Sequence, residues 1–218
     1  MNTQINWDMP GIQIEQKSFK CIEQEYTGKK FNTKEWPVVR RVIHSTADLS
    51  IGELFRFAHN PIDTVLQALK DGCSIYSDSN MIKSGISKAK ISKINPIYKT
   101  KDITCLVADK RVAKIAKEKN IARSLAALDV AKDDIDDGII LIGNAPLALA
   151  GIVKMSSEGL LKPRIIIGMP VGFVHVIESK QMLYESDIAY VSIDGRRGGS
   201  PLAVAAFHGM LEETLKQL

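Results

Sequence analysis

Four histidines, His44, His59, His175 and His208, are the side chains of this sequence that exchange protons near neutrality without help from their surroundings. They are therefore the first candidates for acid–base chemistry. His44 closes the amphipathic stretch ending Arg41-Val42-Ile43 and precedes the polar Ser45, Thr46 and Asp48. Such a turn could hold the imidazole toward a cavity, or leave it facing solvent at a helix end. His59, beside Asn60-Pro61, reads as structural. His175 reads equally as a pocket residue or a satisfied helix-start histidine, and His208, among alanines and apolar neighbours, reads as packed.

The second chemical signal is the run Asp194-Gly195-Arg196-Arg197-Gly198-Gly199-Ser200. Its glycines let backbone N–H groups approach a ligand, its two arginines supply forked donors, and a helix-like stretch follows at once. Carboxylates or phosphates suit such a loop. The spacing matches neither a P-loop nor G-x-G-x-x-G, and a tight turn or a subunit contact would need the same glycines. No H-E-x-x-H, nucleophile elbow, cluster of metal ligands or nucleotide fingerprint occurs, so no metal site is expected.

These residues need elements to position them. Ile139–Ile142, Arg164–Ile167 and Ile188–Ile193 are short apolar runs, each followed by a Gly-containing turn and a helix-compatible stretch. Pro146 can open the first of these helices, and the last spans Pro201–Leu215. Cys73–Tyr76 and Ile103–Val107 read as two further strands. Asn60-Pro61 reads as the cap of a helix that Gly72 ends, Asp109 as the cap of a Lys-rich helix, and Lys34–His44 as a helix accepting Pro37 in its first turn. This rhythm predicts an α/β fold, a single-domain three-layer sandwich with a largely parallel central sheet flanked by helices. In such sheets ligands bind outside the carboxyl ends of the strands, where the turns above converge.

A chain of 218 residues with 45% hydrophobic content supports one substantial core, so one domain over 1–218 is expected, with residues 1–11 as a flexible N-terminal lead. Cys21, Cys73 and Cys105 are odd in number and widely spaced, which argues for reduced cytoplasmic thiols over disulfides or structural zinc. The most apolar run, Ile139–Val153, is too short to span a bilayer, so no membrane role is expected. A net charge of +4 permits an anionic partner, and Lys110, Lys114 and Lys117 would be the basis of a nucleic-acid reading. Their spacing fits a solvated helix face equally well, and no nucleic-acid partner is expected.

Several motifs in order resemble one family from about Gln16 onward. They are Arg41-Val42-Ile43-His44 followed by Asp48-Leu49; Asp78-Ser79-Asn80-Met81 running to Gly85-Ile86; and Ala122-Arg123-Ser124-Leu125-Ala126-Ala127-Leu128-Asp129. Then come Gly143-Asn144-Ala145-Pro146 with Leu149, Gly168-Met169-Pro170-Val171-Gly172-Phe173-Val174 with Glu178-Ser179-Lys180, and Gly195-Arg196-Arg197-Gly198-Gly199-Ser200. Together they resemble the precorrin-8 or cobalt-precorrin-8 methylmutases of cobalamin biosynthesis. Two departures stand out: Lys17-Ser18 where members often have Arg-Ser, and Ala122 where a threonine is usual.

The resemblance implies an isomerase that moves a methyl group to a neighbouring carbon of the macrocycle, with His44 as general acid and no external cofactor. It implies substrate contacts from Lys17, Ser18, Asp78, Asn80, Met81, Arg123, Ser124 and Gly195, Arg196, Arg197, Gly198, Gly199 and Ser200. It also implies a homodimer with sites near the subunit interface. A non-catalytic corrinoid carrier, in which His44 orients the ligand instead of protonating it, is the alternative from another class.

Overall fold

The computed structural model of the chain describes residues 5–216. Of the expected N-terminal lead, residues 1–4 lie outside the described residues. Residues 5–10 hold no helix or strand, and Gly11 opens the first helix.

Five strands form one sheet: β1 (Phe55–Ala58), β2 (Ile75–Ser77), β3 (Ile139–Ile142), β4 (Ile165–Gly168) and β5 (Ala189–Ile193), in the order β1-β5-β4-β3-β2. β2 to β5 run parallel, and β1 pairs antiparallel with β5, Phe55 opposite Ile193. The two faces of the sheet are read from alternate residues, as the strand's two-residue period demands. Ile139, Leu141, Ile165, Ile167, Val191 and Ile193 enter one core, whereas Ile140, Ile142, Ile166 and Tyr190 enter the other. A strand buried on both sides has no polar face to show, hence its unbroken β-branched and leucine runs.

The first core is closed by α2 (Trp36–Thr46), α3 (Pro61–Lys70), α5 (Lys88–Ile94) and α10 (Ser200–Lys216); α1 (Gly11–Glu25) packs outside against α2, and the short α4 (Asn80–Gly85) against α10. The second is closed by α7 (Arg123–Ile135), α8 (Pro146–Ser157) and α9 (Val176–Tyr184), with α6 (Lys110–Lys119) packed on α7. This is the three-layer, mostly parallel α/β arrangement. Pro146 occupies the first turn of α8, and Asp109 caps α6 by accepting the Arg111 N–H at 2.7 Å. His208 is packed as expected: its Nε2 accepts the Ser87 N–H at 3.0 Å, and burial, with Lys90 and Arg41 nearby, pushes its pKa down to about 4.

Four local expectations change. Ile103–Val107 makes a single bridge, Thr104 to Tyr76, and no strand. Asn60 caps nothing with its side chain; it takes a left-handed backbone, φ 53°, and its carbonyl accepts the Thr64 N–H. The helix expected over Lys34–His44 starts at Trp36 and runs on to Thr46. Neither β1 nor α1 was among the expected elements; α1 is amphipathic, but Ile22 is its one buried residue, with Phe19 packed against the core.

α2 and α10 meet at Gly209, where a Cβ would sit 2.7 Å from the Val38 Cα and 3.1 Å from the Pro37 carbonyl oxygen. Alanine would gain up to about 1 kcal/mol of helix propensity, but overpacking of this kind costs about 1–3 kcal/mol. Gly209→Ala is therefore expected to lower stability overall, read as a reduced urea midpoint with unchanged slope.

Candidate active site

Parallel strands end with their last carbonyls and the following amides unpaired, so the loops beyond them must find partners elsewhere. After β3, three such amides turn onto one buried carboxylate. Asp78 accepts the N–H groups of Gly143 at 3.1 Å, Asn144 at 2.8 Å and Ala145 at 2.6 Å. Burial pushes the Asp78 carboxyl up from its ordinary value, while the three amides pull it back. Asp78, expected as a substrate contact, is thus engaged with this loop. Its neighbour Ser79 shares a hydroxyl hydrogen bond of 2.8 Å with Ser200 at the start of α10.

The loop after β5 is interlocked with the loop after β4. The Gly199 N–H donates to the Met169 carbonyl at 2.8 Å, and a Cβ at Gly198 would fall 2.3 Å from that same oxygen. Close backbone approach explains Gly198, and a left-handed φ of 127° explains Gly199. Beneath the loop lies Lys180 of α9, whose Nζ donates to the carbonyls of Gly195 at 2.8 Å and Arg197 at 2.7 Å. The sequence had marked Glu178-Ser179-Lys180 as a motif without a role for it. A lysine between Ser179 and the apolar end of α9, within reach of a glycine loop, was the available signal.

Arg196 and Arg197 stay exposed on this edge, whereas Gly199 and Ser200 are buried. Arg196 lies 5.4 Å from the ring centre of the exposed Phe173. Arg197 bonds Asp48 at 2.7 Å and the Ser50 hydroxyl at 2.9 Å, tying the glycine loop to the turn that follows α2. The Ser50 hydroxyl, with Arg197 nearby, holds the Asp48 carboxyl below its ordinary value.

That turn leads back to His44, in the last turn of α2, which ends on a left-handed Ala47. The His44 Nδ1 lies 2.8 Å from the Ser18 hydroxyl of α1, and the Phe19 ring meets the imidazole edge-on at 5.3 Å. Phe19 is itself fixed between Arg40 and Arg41, at 4.3 and 4.9 Å. Arg41 in turn bonds Glu15 and Glu212, joining α1, α2 and α10. With Nδ1 engaged, Nε2 has no hydrogen-bond partner among the described residues. Ser18, Cys21, Ile22, Leu49 and His44 line a shallow cavity of about 200 Å³.

The remaining expected residues spread along the same edge. Lys17 is exposed one position before Ser18; Asn80 and Met81 open α4 directly beyond β2, both exposed. α7 ends four residues before β3 begins, so its first residues, the exposed Arg123 and half-buried Ser124, lie back toward the carboxyl ends of the strands. Ser18 and His44 touch, as do the Arg197 loop and Asp48. Arg123 and Ser124 belong to the opposite helical layer and make no contact with the histidine within the described residues.

An imidazole held through one nitrogen beside a cavity, with exposed guanidinium groups on the adjoining loop, has the chemistry to donate a proton to an anionic ligand. Comparison with known proteins bears on which one. A family model described as precorrin-8X methylmutase matches residues 13–213. A cobalt-precorrin-8 methylmutase of Methanocaldococcus jannaschii is 37% identical, covering 92% of this chain and 93% of its own. A precorrin-8X methylmutase of Sinorhizobium is 31% identical, with 92% and 93% covered. The crystal structure of a precorrin-8x methyl mutase from Thermus thermophilus superposes with a TM-score of 0.85 at 35% identity, covering 95% of this chain and 98% of that one.

Asp78→Asn would turn one of the three amide-accepting contacts into a donor facing a donor. Stability is expected to fall by about 1–3 kcal/mol, the range for stranding a buried polar group, measured by urea denaturation. An unchanged midpoint would show that the loop after β3 holds itself.

Proposed function

Since this chain belongs to the precorrin-8X methylmutase family, we propose that it rearranges precorrin-8, metal-free or carrying cobalt, with His44 as the general acid. Membership makes it an isomerase of cobalamin biosynthesis that moves a methyl group. The observation that carries the finer reading is the Ser18–His44 hydrogen bond, which fixes the imidazole and leaves Nε2 for the ligand.

The reaction needs little else. A proton delivered to the conjugated ring draws electron density from the neighbouring carbon. The methyl group then leaves its carbon with the bonding pair and forms a new carbon–carbon bond there. Loss of a proton restores the neutral ring, so substrate and product have the same composition. A rearrangement of this kind gains most from placement: a donor set against one atom and a cradle that fixes the ring. The carboxylate arms of the macrocycle suit Lys17, Arg123, Arg196 and Arg197, with Ser124, Asn80 and Met81 on the same edge, while Asp78 and Ser200 hold the loops that present them. Three unpaired cysteines suit a reducing cytoplasm, and among the described residues no helix is long and apolar enough to cross a membrane.

A homodimer completes this reading. Pockets that enclose ligands of drug size run to about 300–1,000 Å³, and a tetrapyrrole is larger still, so the 200 Å³ hollow beside His44 needs walls from elsewhere. A second copy would supply them, and the exposed Phe173 and Val174 on the loop after β4 offer an apolar contact. Light scattering on the purified protein is expected to give twice the chain mass; a monomer at micromolar concentration would remove the partner from the site.

The decisive assay mixes the protein anaerobically with cobalt-precorrin-8, and separately with the metal-free form, and follows the absorption spectrum as the conjugation changes. Turnover of at least one is expected, and the preferred form identifies the natural substrate. His44→Ala should keep the macrocycle's affinity but lose about a hundredfold to ten-thousandfold in kcat. Undiminished turnover would sink the acid role, and a bound but spectrally static macrocycle would sink the isomerase.

A further inference from the structure

We propose that Lys180 is a positioning residue: by holding the carbonyls of Gly195 and Arg197 inward, it turns the amide N–H groups of Arg196 and Gly198 outward as a seat for one carboxylate of the macrocycle. The inference rests on the methylmutase reading for its ligand, but the geometry behind it does not.

Lys180 is 1% exposed, and Nζ donates to those two carbonyls at 2.8 and 2.7 Å. A lysine so deeply buried is normally matched by a carboxylate. The nearby acid, Asp194, instead has both oxygens on the Arg56 guanidinium of β1, each at 2.9 Å. The ammonium is thus given over to the loop's backbone. In a trans peptide the C=O and N–H vectors oppose each other. Two carbonyls drawn down onto Nζ therefore send the next two amides, those of Arg196 and Gly198, up and away from the helix. Neither has a backbone acceptor among the described residues, whereas the following Gly199 N–H is taken by Met169. Two outward amides beside the exposed Arg196 and Arg197 side chains form an anion-binding concavity, and the buried positive charge beneath strengthens it.

The groups facing Nζ are few. Asp194 lies on the loop after β5 and favours the ammonium; it is shared with Arg56 from β1 and with Tyr184 one turn further along α9. Burial outweighs this and pushes the Lys180 pKa down to about 8. Above that pH a neutral amine can still donate to both carbonyls, but the charge under the seat is gone. Because the folded-state value is depressed below its ordinary one, deprotonation near pH 8 does not unfold the loop; it weakens the hold on an anion.

Lys180→Met keeps the length and removes the donors. Charge-assisted hydrogen bonds of this kind correspond to about a tenfold to hundredfold change in an equilibrium constant. KM is therefore expected to rise by about that factor, with kcat at saturation within about threefold. In the wild type, affinity for the polycarboxylate product should fall as pH rises through 8 to 9, and Lys180→Met should lack that step. In the free protein, hydrogen exchange at Gly199 should quicken in Lys180→Met, a reading that needs no substrate. An unchanged KM, or the same pH step in the variant, would overturn the proposal while leaving the isomerase standing. If the variant fails to fold, the wild-type protein decides alone: affinity that is flat from pH 7 to 9.5 rejects the charged seat. A wild type that turns over neither macrocycle form refutes the methylmutase reading instead, whatever Gly199 does.

Discussion

Backbone groups at the carboxyl ends of parallel strands have no sheet partner, and in a water-poor setting each must be answered by something. Here a single buried carboxylate, Asp78, answers the three amides after β3. The neighbouring loops hang from that arrangement. Ser79 reaches Ser200, Ser200 opens α10 against Gly143, and Gly199 and Gly198 press on the end of β4. Remove the carboxylate and the interlock loses its fixed point. The loop after β5 is organised with the opposite sign, an ammonium gathering carbonyls where Asp78 gathers amides. Two buried charges matched to backbone dipoles thus hold this edge, while Arg196 stays exposed and Arg197 is paired with Asp48.

The parallel sheet was legible because burial on both faces leaves an unmistakable mark: Ile139–Ile142 and Ile165–Ile167 are apolar at every position and end in glycine turns. Pro146, Asp109 and Gly72 punctuated the helices for reasons that act within a few residues. What escaped notice depends on partners far along the chain. α1 buries only Ile22 and is held by Ser18, Phe19 and Glu15 meeting residues of α2, contacts that its own composition does not announce. β1 is four residues long and exists because β5 offers an edge. Ile103–Val107 looked like a strand and makes only the Thr104–Tyr76 bridge.

The candidate site divided along the same line. His44, Arg196 and Arg197 could be picked out by chemical type, and the glycines by the loop they permit. Their companions could not. That Ser18 would hold the imidazole, that Asp78 would face a loop sixty-odd residues away, and that Arg197 would reach back to Asp48 are properties of the folded chain. Motif resemblance named these residues together, and the fold brings some of them into contact, Ser18 with His44 and Ser79 with Ser200; it gave no sign that Asp78 would be engaged with three backbone amides.

The direction of one short strand has a larger reach than its length implies. In a wholly parallel sheet, the residues immediately preceding any strand lie at its amino end, on the side away from the loops where ligands collect. β1 is entered from the other side, because Phe55 lies beside the last residue of β5. Whatever comes before β1 is delivered to the working edge after one short 3-10 turn, Leu49–Leu54. An N-terminal pair of helices, encoded well ahead of any βα unit, can thereby contribute the histidine to loops made by the C-terminal half. A reversed edge strand is in this sense a topological adaptor: it brings the end of an N-terminal helix that packs into the core to this edge without disturbing the order of the strands that build the rest of it.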